Sequence, residues 1–208
     1  MDLATILKRP LNDPNWLTTC LKAGVLACIP IANIAALGWS KRLYAQYRAG
    51  GNDILPDPFE DIGGDLARGF SSVIAILGGM LPLYVIFFGF GCCAIGIDMM
   101  GGMGIATMLV NLMSLPMSLV VGVLAPIALW VHLRTGDLWV WNHTSSALAV
   151  IKGDTQRFLM LCVAMFVANM VSGAGVALCC VGLVLTAPLA LAMSSAALAE
   201  FDEGAPAF

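Results

Sequence analysis

Charge is what this sequence has least of. Only 11% of its 208 residues are Asp, Glu, Lys or Arg, 60% are hydrophobic, and the mean hydropathy is +0.90. Soluble domains carry about 25% charged residues, so this chain cannot cover a water-facing surface, and soluble enzymes and disordered chains are excluded. No basic block accompanies the net charge of −3, which removes nucleic acid from the expected partners. Period-two alternation is missing too, and with it a transmembrane barrel. HExxH, nucleophile-elbow and P-loop patterns are absent and no His or Cys set has metal-ligand spacing, so no catalytic residue, metal or cofactor is assigned. The odd count of seven cysteines argues against a disulfide framework. Neighbours on a helix point about 100° apart, so Cys92-Cys93 and Cys179-Cys180 read as packing residues, not two-ligand claws.

What is present is a set of long charge-free intervals, between Lys22 and Lys41, Arg68 and Asp98, Asp98 and Arg134, and Arg157 and Glu200. A crossing helix needs about 20 apolar residues. Each of the first three intervals suits one crossing and the last must hold two, divided at Gly173-Ala-Gly175. The expectation is an all-α, polytopic helical integral membrane protein, one domain over residues 1–208, with about five membrane segments. These are Leu17 to Gly38, Phe70 to Phe90, Gly104 to Val131, Phe158 to Ser172 and Val176 to Ala199. The first is read as a true crossing, since its helical pattern runs on to Arg48 before Gly50-Gly51. A re-entrant segment bent at Pro30 is the alternative.

The polar stretches add detail. Residues 1–16 have no charge-free signal core and read as an interfacial segment, a short helix with Leu3, Ile6 and Leu7 on one face, with a frayed tail as the alternative. Asp57 before Pro58 reads as the cap of a short amphipathic helix carrying Phe59, Ile62 and Leu66, which feeds the second span. Asp137 to His143 brings two tryptophans to headgroup depth, Lys152-Gly153 ends that second interfacial element, and Asp154 caps the next helix. Two crossings separate the basic connections 39–69 and 132–157, so both lie on one face, cytoplasmic by the positive-inside rule, together with the acidic tail 201–208. His132 and His143 read as interfacial side chains.

Short matches recur in the same order along the chain. Asp65-Leu-Ala-Arg-Gly-Phe70 resembles Asp154-Thr-Gln-Arg-Phe158, Gly89-Phe-Gly91 resembles Gly173-Ala-Gly175, Cys92-Cys93 resembles Cys179-Cys180, and Trp39 with Arg42 resembles Trp130 with Arg134. They suggest a degenerate parallel duplication with units 17–103 and 104–200.

Asp13-Pro-Asn-Trp16, Leu37-Gly-Trp39, the basic helix Lys41 to Arg48, Gly50-Gly51 and Leu55-Pro-Asp-Pro-Phe59, with Gly69 before the next span, resemble the opening of a bacterial and archaeal family of polytopic membrane proteins, domain of unknown function four-zero-one-three. The closing Cys180-Val-Gly-Leu-Val-Leu-Thr-Ala-Pro188 stretch extends the likeness. The resemblance implies a multi-pass prokaryotic inner-membrane protein, in the cytoplasmic membrane of a bacterium or archaeon, and supplies no catalytic residues.

Polar groups at membrane depth are the remaining candidates for chemistry, because their desolvation is costly without a partner. Asp98 leads, followed by Asn33, Asn111, Asn169 and Lys22. Asp98 precedes a turn and suits a solvated helix end, Lys22 can snorkel, and the asparagines suit interhelical hydrogen bonds. The favoured expectation is a non-catalytic scaffold or subunit of a larger membrane complex, whose partners are the lipid bilayer and other membrane subunits or further copies of itself. A small transporter or channel, with its path between helices bent at Pro82, Pro116, Pro126 and Pro188, is the alternative.

Overall fold

The computed structural model describes residues 2–51, 53–99, 108, 112, 121, 124–177 and 179–205, without the side chains of 93–99, 176, 177 and 179–181. The elements are α1 (Leu3–Lys8), α2 (Trp16–Cys28), α3 (Ala32–Arg48), α4 (Ile62–Met99), α5 (124–135), α6 (Thr144–Gly153), α7 (Thr155–Ala177) and α8 (Cys179–Glu203). Short 3₁₀ turns at Arg9–Asn12 and Val140–His143 precede α2 and α6. No strand occurs among the described residues. Three helices are long and apolar enough to cross a bilayer, Ile62–Cys92, Thr155–Gly175 and Gly182–Glu203. The protein is an all-α membrane protein. Of the expected third span, Gly104 to Val131, most lies outside the described residues.

The first expected crossing is not continuous. α2 ends at Cys28, and Ile29, before Pro30, is extended at φ −93° and ψ 121°. A proline disfavours the helical conformation at the preceding residue and has no N–H to continue the ladder. The chain turns there and α3 runs back alongside α2. The outer ends of this hairpin meet, with the Arg9 guanidinium 4.4 Å above the Tyr47 ring, and Lys22 Nζ, midway along α2, lies 2.6 Å from Asp57 of the first connection. With 13 residues, α2 is about 20 Å long, short of a hydrocarbon core of about 30 Å. Hydropathy alone cannot tell a hairpin tip from mid-membrane, which is why the crossing looked continuous in sequence.

Helix directions follow from the cross-contacts. Gly38 of α3 meets Asp65 of α4 while Gly69 meets Ile34, so these helices are antiparallel. Ser195 of α8 donates to Ser40 and Asp202 accepts from Tyr44, so α8 runs parallel to α3. Ser172 of α7 meets Thr186, and Arg157 meets Glu200 and Gly204, so α7 and α8 are antiparallel. The N-terminal segment, both polar connections and the end of α8 therefore gather at one end of the bundle. Around them lies its densest packing, where Trp39, Leu43, Tyr47 and Trp130 are fully buried and Trp130 meets Phe201 edge-on at 5.1 Å.

Several boundaries differ from expectation. Residues 58–61 form a turn, not a separate interfacial helix; Asp57 accepts from Phe59 N, and the cap of α4 is Asp61, which accepts from Gly64 N at 3.0 Å. The pattern Phe59, Ile62, Leu66 is therefore the turn and first part of a helix that continues into the span. α7 passes through Gly173 and Gly175 to Ala177, so these glycines do not divide it from α8. Gly175 is instead a close-approach point, since a Cβ there would fall on Thr186 Oγ1. The expected tail 201–208 is also shortened, because α8 continues to Glu203 with Phe201 and Asp202 buried. Asp154 does cap α7, accepting from Arg157 N at 2.9 Å. The expected α1 is present, with Ile6 buried and Asp2 accepting from Ala4 N.

Two prolines inside helices each free a carbonyl that another segment meets. Pro82 leaves Gly78 O without its usual i+4 donor, and Trp141 Nε1 donates to that oxygen at 2.9 Å. Trp141 thus docks against the apolar span of α4. Pro188 likewise frees Val184 O, which lies against Gly24 of α2, where any Cβ would overlap it. A backbone Cα–H can sit against such an oxygen, and only glycine lets the helices come that close.

Candidate functional site

Polar side chains converge at the gathered end. Asp65, at the start of α4, has a side chain 1% exposed and accepts from Arg42 Nη2 at 2.7 Å and Arg68 Nη1 at 2.5 Å. Arg42 also reaches the Asp57 carbonyl and Glu60, and Arg68 reaches Asp61. Asp202, on the last turn of α8, is equally buried and is held from two other helices, α3 and α5. Tyr44 Oη donates to it at 3.0 Å and Trp130 Nε1 at 3.1 Å, and it pairs with Arg48 Nε at 2.7 Å and Arg134 Nη1 at 3.2 Å. Asp13 accepts from Leu55 N and Asn15 N, both at 2.8 Å, tying the N-terminal segment to the first connection. A buried carboxylate persists only where its charge is matched and its lone pairs are occupied. Asp65 and Asp202 meet that condition through arginines, and Asp13 has its lone pairs occupied by backbone N–H donors.

Lys41, His132 and Ser71 lie between the two arginine clamps. His132 Nδ1 is 2.9 Å from the Asp137 carbonyl, which can only accept, so Nδ1 carries the hydrogen and Nε2 accepts. Lys41 Nζ is 3.1 Å from Nε2 and 3.4 Å from Ser71 Oγ. Burial holds His132 below its ordinary value, outweighing the Asp137 carbonyl, and the Lys41 charge adds to the effect. Burial, with the Arg68 guanidinium nearby, also holds Lys41 below the usual ammonium range. The Ser71 hydroxyl donates to the Arg68 carbonyl at 2.7 Å, so it is not aligned on His132 as a nucleophile on its base.

A second polar feature lies at the hairpin tip, among α2, α3, α7 and α8. It is a half-open groove of about 370 Å³ whose lining includes Cys28, Asn33, Asn169, Ser172 and Ser194 among small apolar residues. Asn169 Nδ2 donates to Met165 O at 2.9 Å. Asn33 makes no side-chain hydrogen bond among the described residues and is exposed to the groove.

Of the five polar positions singled out in sequence, the structure thus joins Asn33 and Asn169 on one groove. Lys22 stands apart midway along α2, paired with Asp57. Asp98 lies in the last turn of α4 with its side chain outside the described residues, and Asn111 is outside them altogether. Asp202 and His132 were missed as buried groups. Their burial depends on contacts from other helices, although the likeness of Trp39 with Arg42 to Trp130 with Arg134 pointed to the neighbourhood. That likeness does not extend to pairing, for Arg42 binds Asp65 whereas Arg134 binds Asp202. Among the described residues no group of three or more His, Cys, Asp or Glu could hold a metal ion.

A family model described as "Protein of unknown function (DUF4013)" matches residues 23–181. No curated protein and no solved structure matches the chain.

Proposed function

Because the chain belongs to this family of unknown function, its role must be argued from its geometry, and we propose that it is a non-catalytic multi-pass membrane protein acting as a scaffold or subunit of a larger membrane complex. The observation that carries this reading is the saturation of Asp65 and Asp202 by fixed arginine, tyrosine and tryptophan donors. Such carboxylates clamp helices together and leave no spare site for a moving proton or cation. α4 supplies the contact surface. Its span is mostly unburied, with Val85 63% and Phe88 74% exposed, a face suited to lipid, other membrane subunits or a second copy. The end that gathers the basic residues is cytoplasmic by the positive-inside rule, in a prokaryotic inner membrane, and the hairpin brings Lys8 and Arg9 to that same side.

A transporter or channel is the second reading, favoured by one observation. Asn33 and Asn169 share a groove, and an unpartnered amide facing apolar surroundings is costly unless something occupies it. Proteoliposome flux separates the two. The scaffold reading expects no solute flux sensitive to Asn33→Leu or Asn169→Leu, and a native mass above the 21.8 kDa of one chain after allowance for detergent. Loss of a measurable flux in either variant at unchanged membrane abundance would overturn it.

A further inference from the structure

Beside the Asp202 clamp, α3 and α5 enclose an open cavity of about 400 Å³ lined by Lys41, Tyr44, Ala45, Arg48, Ala49 and Leu133. We propose that this cavity binds a phosphate group, that of an anionic phospholipid or of a free phosphate ion, through Lys41 and Arg48.

The argument rests on donors that the protein leaves over. An ammonium carries three N–H donors. Lys41 directs two of its contacts at His132 and Ser71, and no carboxylate lies within ion-pair distance of it among the described residues. Arg48 engages Asp202 through Nε, its terminal nitrogens make no hydrogen bond among the described residues, and its side chain, 47% exposed, lines the cavity. Lys41 and Arg48 are the charged residues of the lining, none of which is acidic, and the acid beside it, Asp202, pairs with Arg48. The cavity wall therefore carries more positive than negative charge. Lys41 and Arg48 are seven positions apart on one face of α3, about 10 Å along the axis, and both side chains are long enough to converge on one anion.

Location selects the anion. The cavity opens at the polar end of the bundle, beside connections that join membrane-spanning helices, where lipid phosphates lie; basic pockets between such helices bind anionic headgroups. Leu133 and two alanines complete the wall with apolar surface suited to the glycerol region of a lipid. Burial that depresses the Lys41 ammonium means that its charge costs stability in the empty protein. An anion would relieve that cost.

The test uses the full chain in neutral detergent, titrated with phosphatidylglycerol or with phosphatidylcholine of matched acyl chains, and with inorganic phosphate. Retained lipid is read by native mass spectrometry and stabilisation by thermal shift. Phosphatidylglycerol is expected to bind in preference to phosphatidylcholine, with about fivefold weaker binding for Lys41→Gln or Arg48→Gln, since one basic group near a charged surface contributes about that factor. Lys41→Arg should retain binding, and so should Lys152→Gln, which alters an exposed lysine outside the cavity. Equal response to inorganic phosphate would assign the site to the free ion, and selective lipid retention to the headgroup; both support a phosphate site. If Lys41→Gln does not fold, Arg48→Gln carries the decision. Wild-type lipid preference in both glutamine variants, or no phosphate-dependent response in the parent, would overturn the proposal.

Discussion

The contact between Trp141 and Gly78 makes a prediction that a simple packing account does not. Pro82 deprives Gly78 O of its helical donor and the Trp141 indole replaces it at 2.9 Å. Trp141→Phe keeps a ring but removes the donor. A made hydrogen bond contributes about 0.5–1.5 kcal/mol net, and a buried carbonyl left unsatisfied costs about 1–3 kcal/mol. Because Trp141 is 46% exposed, the lower part of that range applies, and a loss of about 1–2 kcal/mol is expected together with a smaller loss of contact area. Pro82→Ala restores an N–H that can bond Gly78 O within α4, so the same Trp141→Phe change should then cost only the area. The two changes should couple by about 1 kcal/mol in a double-mutant cycle, read by equilibrium unfolding in mixed micelles. Equal cost of Trp141→Phe in both backgrounds would show that the indole contributes contact area and not a replacement hydrogen bond.

Other consequences follow from the same geometry. Asp202→Ala leaves the largely buried Arg134 and two ring donors without their acceptor and should destabilise by about 3–5 kcal/mol, against little change for Glu203→Gln on the exposed side of the same turn; a melting temperature within experimental scatter of the parent would refute the clamp. Gly69→Ala places a Cβ on the Ile34 carbonyl and should cost about 1–3 kcal/mol, whereas Gly173→Ala meets open space and should be neutral or slightly stabilising. His132 is held below its ordinary value of 6.5, so the unfolded chain takes up its proton first, and this contribution to stability is present above pH 6.5 and is lost as pH falls through the folded value. Asp57, held low by the Lys22 ammonium and the Phe59 N–H, contributes in the same direction at lower pH, above 3.8 and lost as pH falls through its own depressed value. An unfolding midpoint that does not drop on acidification from pH 7, or drops equally in His132→Gln over the upper window, would contradict the His132 assignment. Reporters fused at residue 1 and at residue 208 should read the same side of the membrane; opposite sides would exclude the hairpin.

Much of the fold was legible because charge is scarce and its cost in a bilayer is large. The intervals after Arg68 and Arg157 contain the apolar spans of α4, α7 and α8, and Asp154 announces a helix start by local chemistry. The hairpin was legible only as the alternative, a re-entrant segment bent at Pro30, since Pro30 sits in a run whose hydropathy is that of a crossing and Lys22 on its flank looked like a snorkelling residue, not half of an ion pair with Asp57. Gly175 misled for a related reason. Glycine serves turns and close packing alike, and only the position of Thr186 decides between them. Of the candidate site, Asn33 and Asn169 could be named from depth, but Asp202 could not, because its burial is created by helices whose partner residues lie up to 158 positions away.

That separation bears on the order in which the bundle can form. The hairpin of α2 and α3 is held along its length by α8, through Gly24 against Val184, Ser40 against Ser195 and Tyr44 against Asp202. Long-range closures of this kind form late. During synthesis the first helices must wait with their polar groups unpaired until the last helix is made, exposing Arg48 without its acid and Gly24 without its neighbour. A chain truncated before α8 would keep its hydrophobic spans yet lose the lock on its beginning, so arrival of α8 distinguishes a finished bundle from an unfinished one.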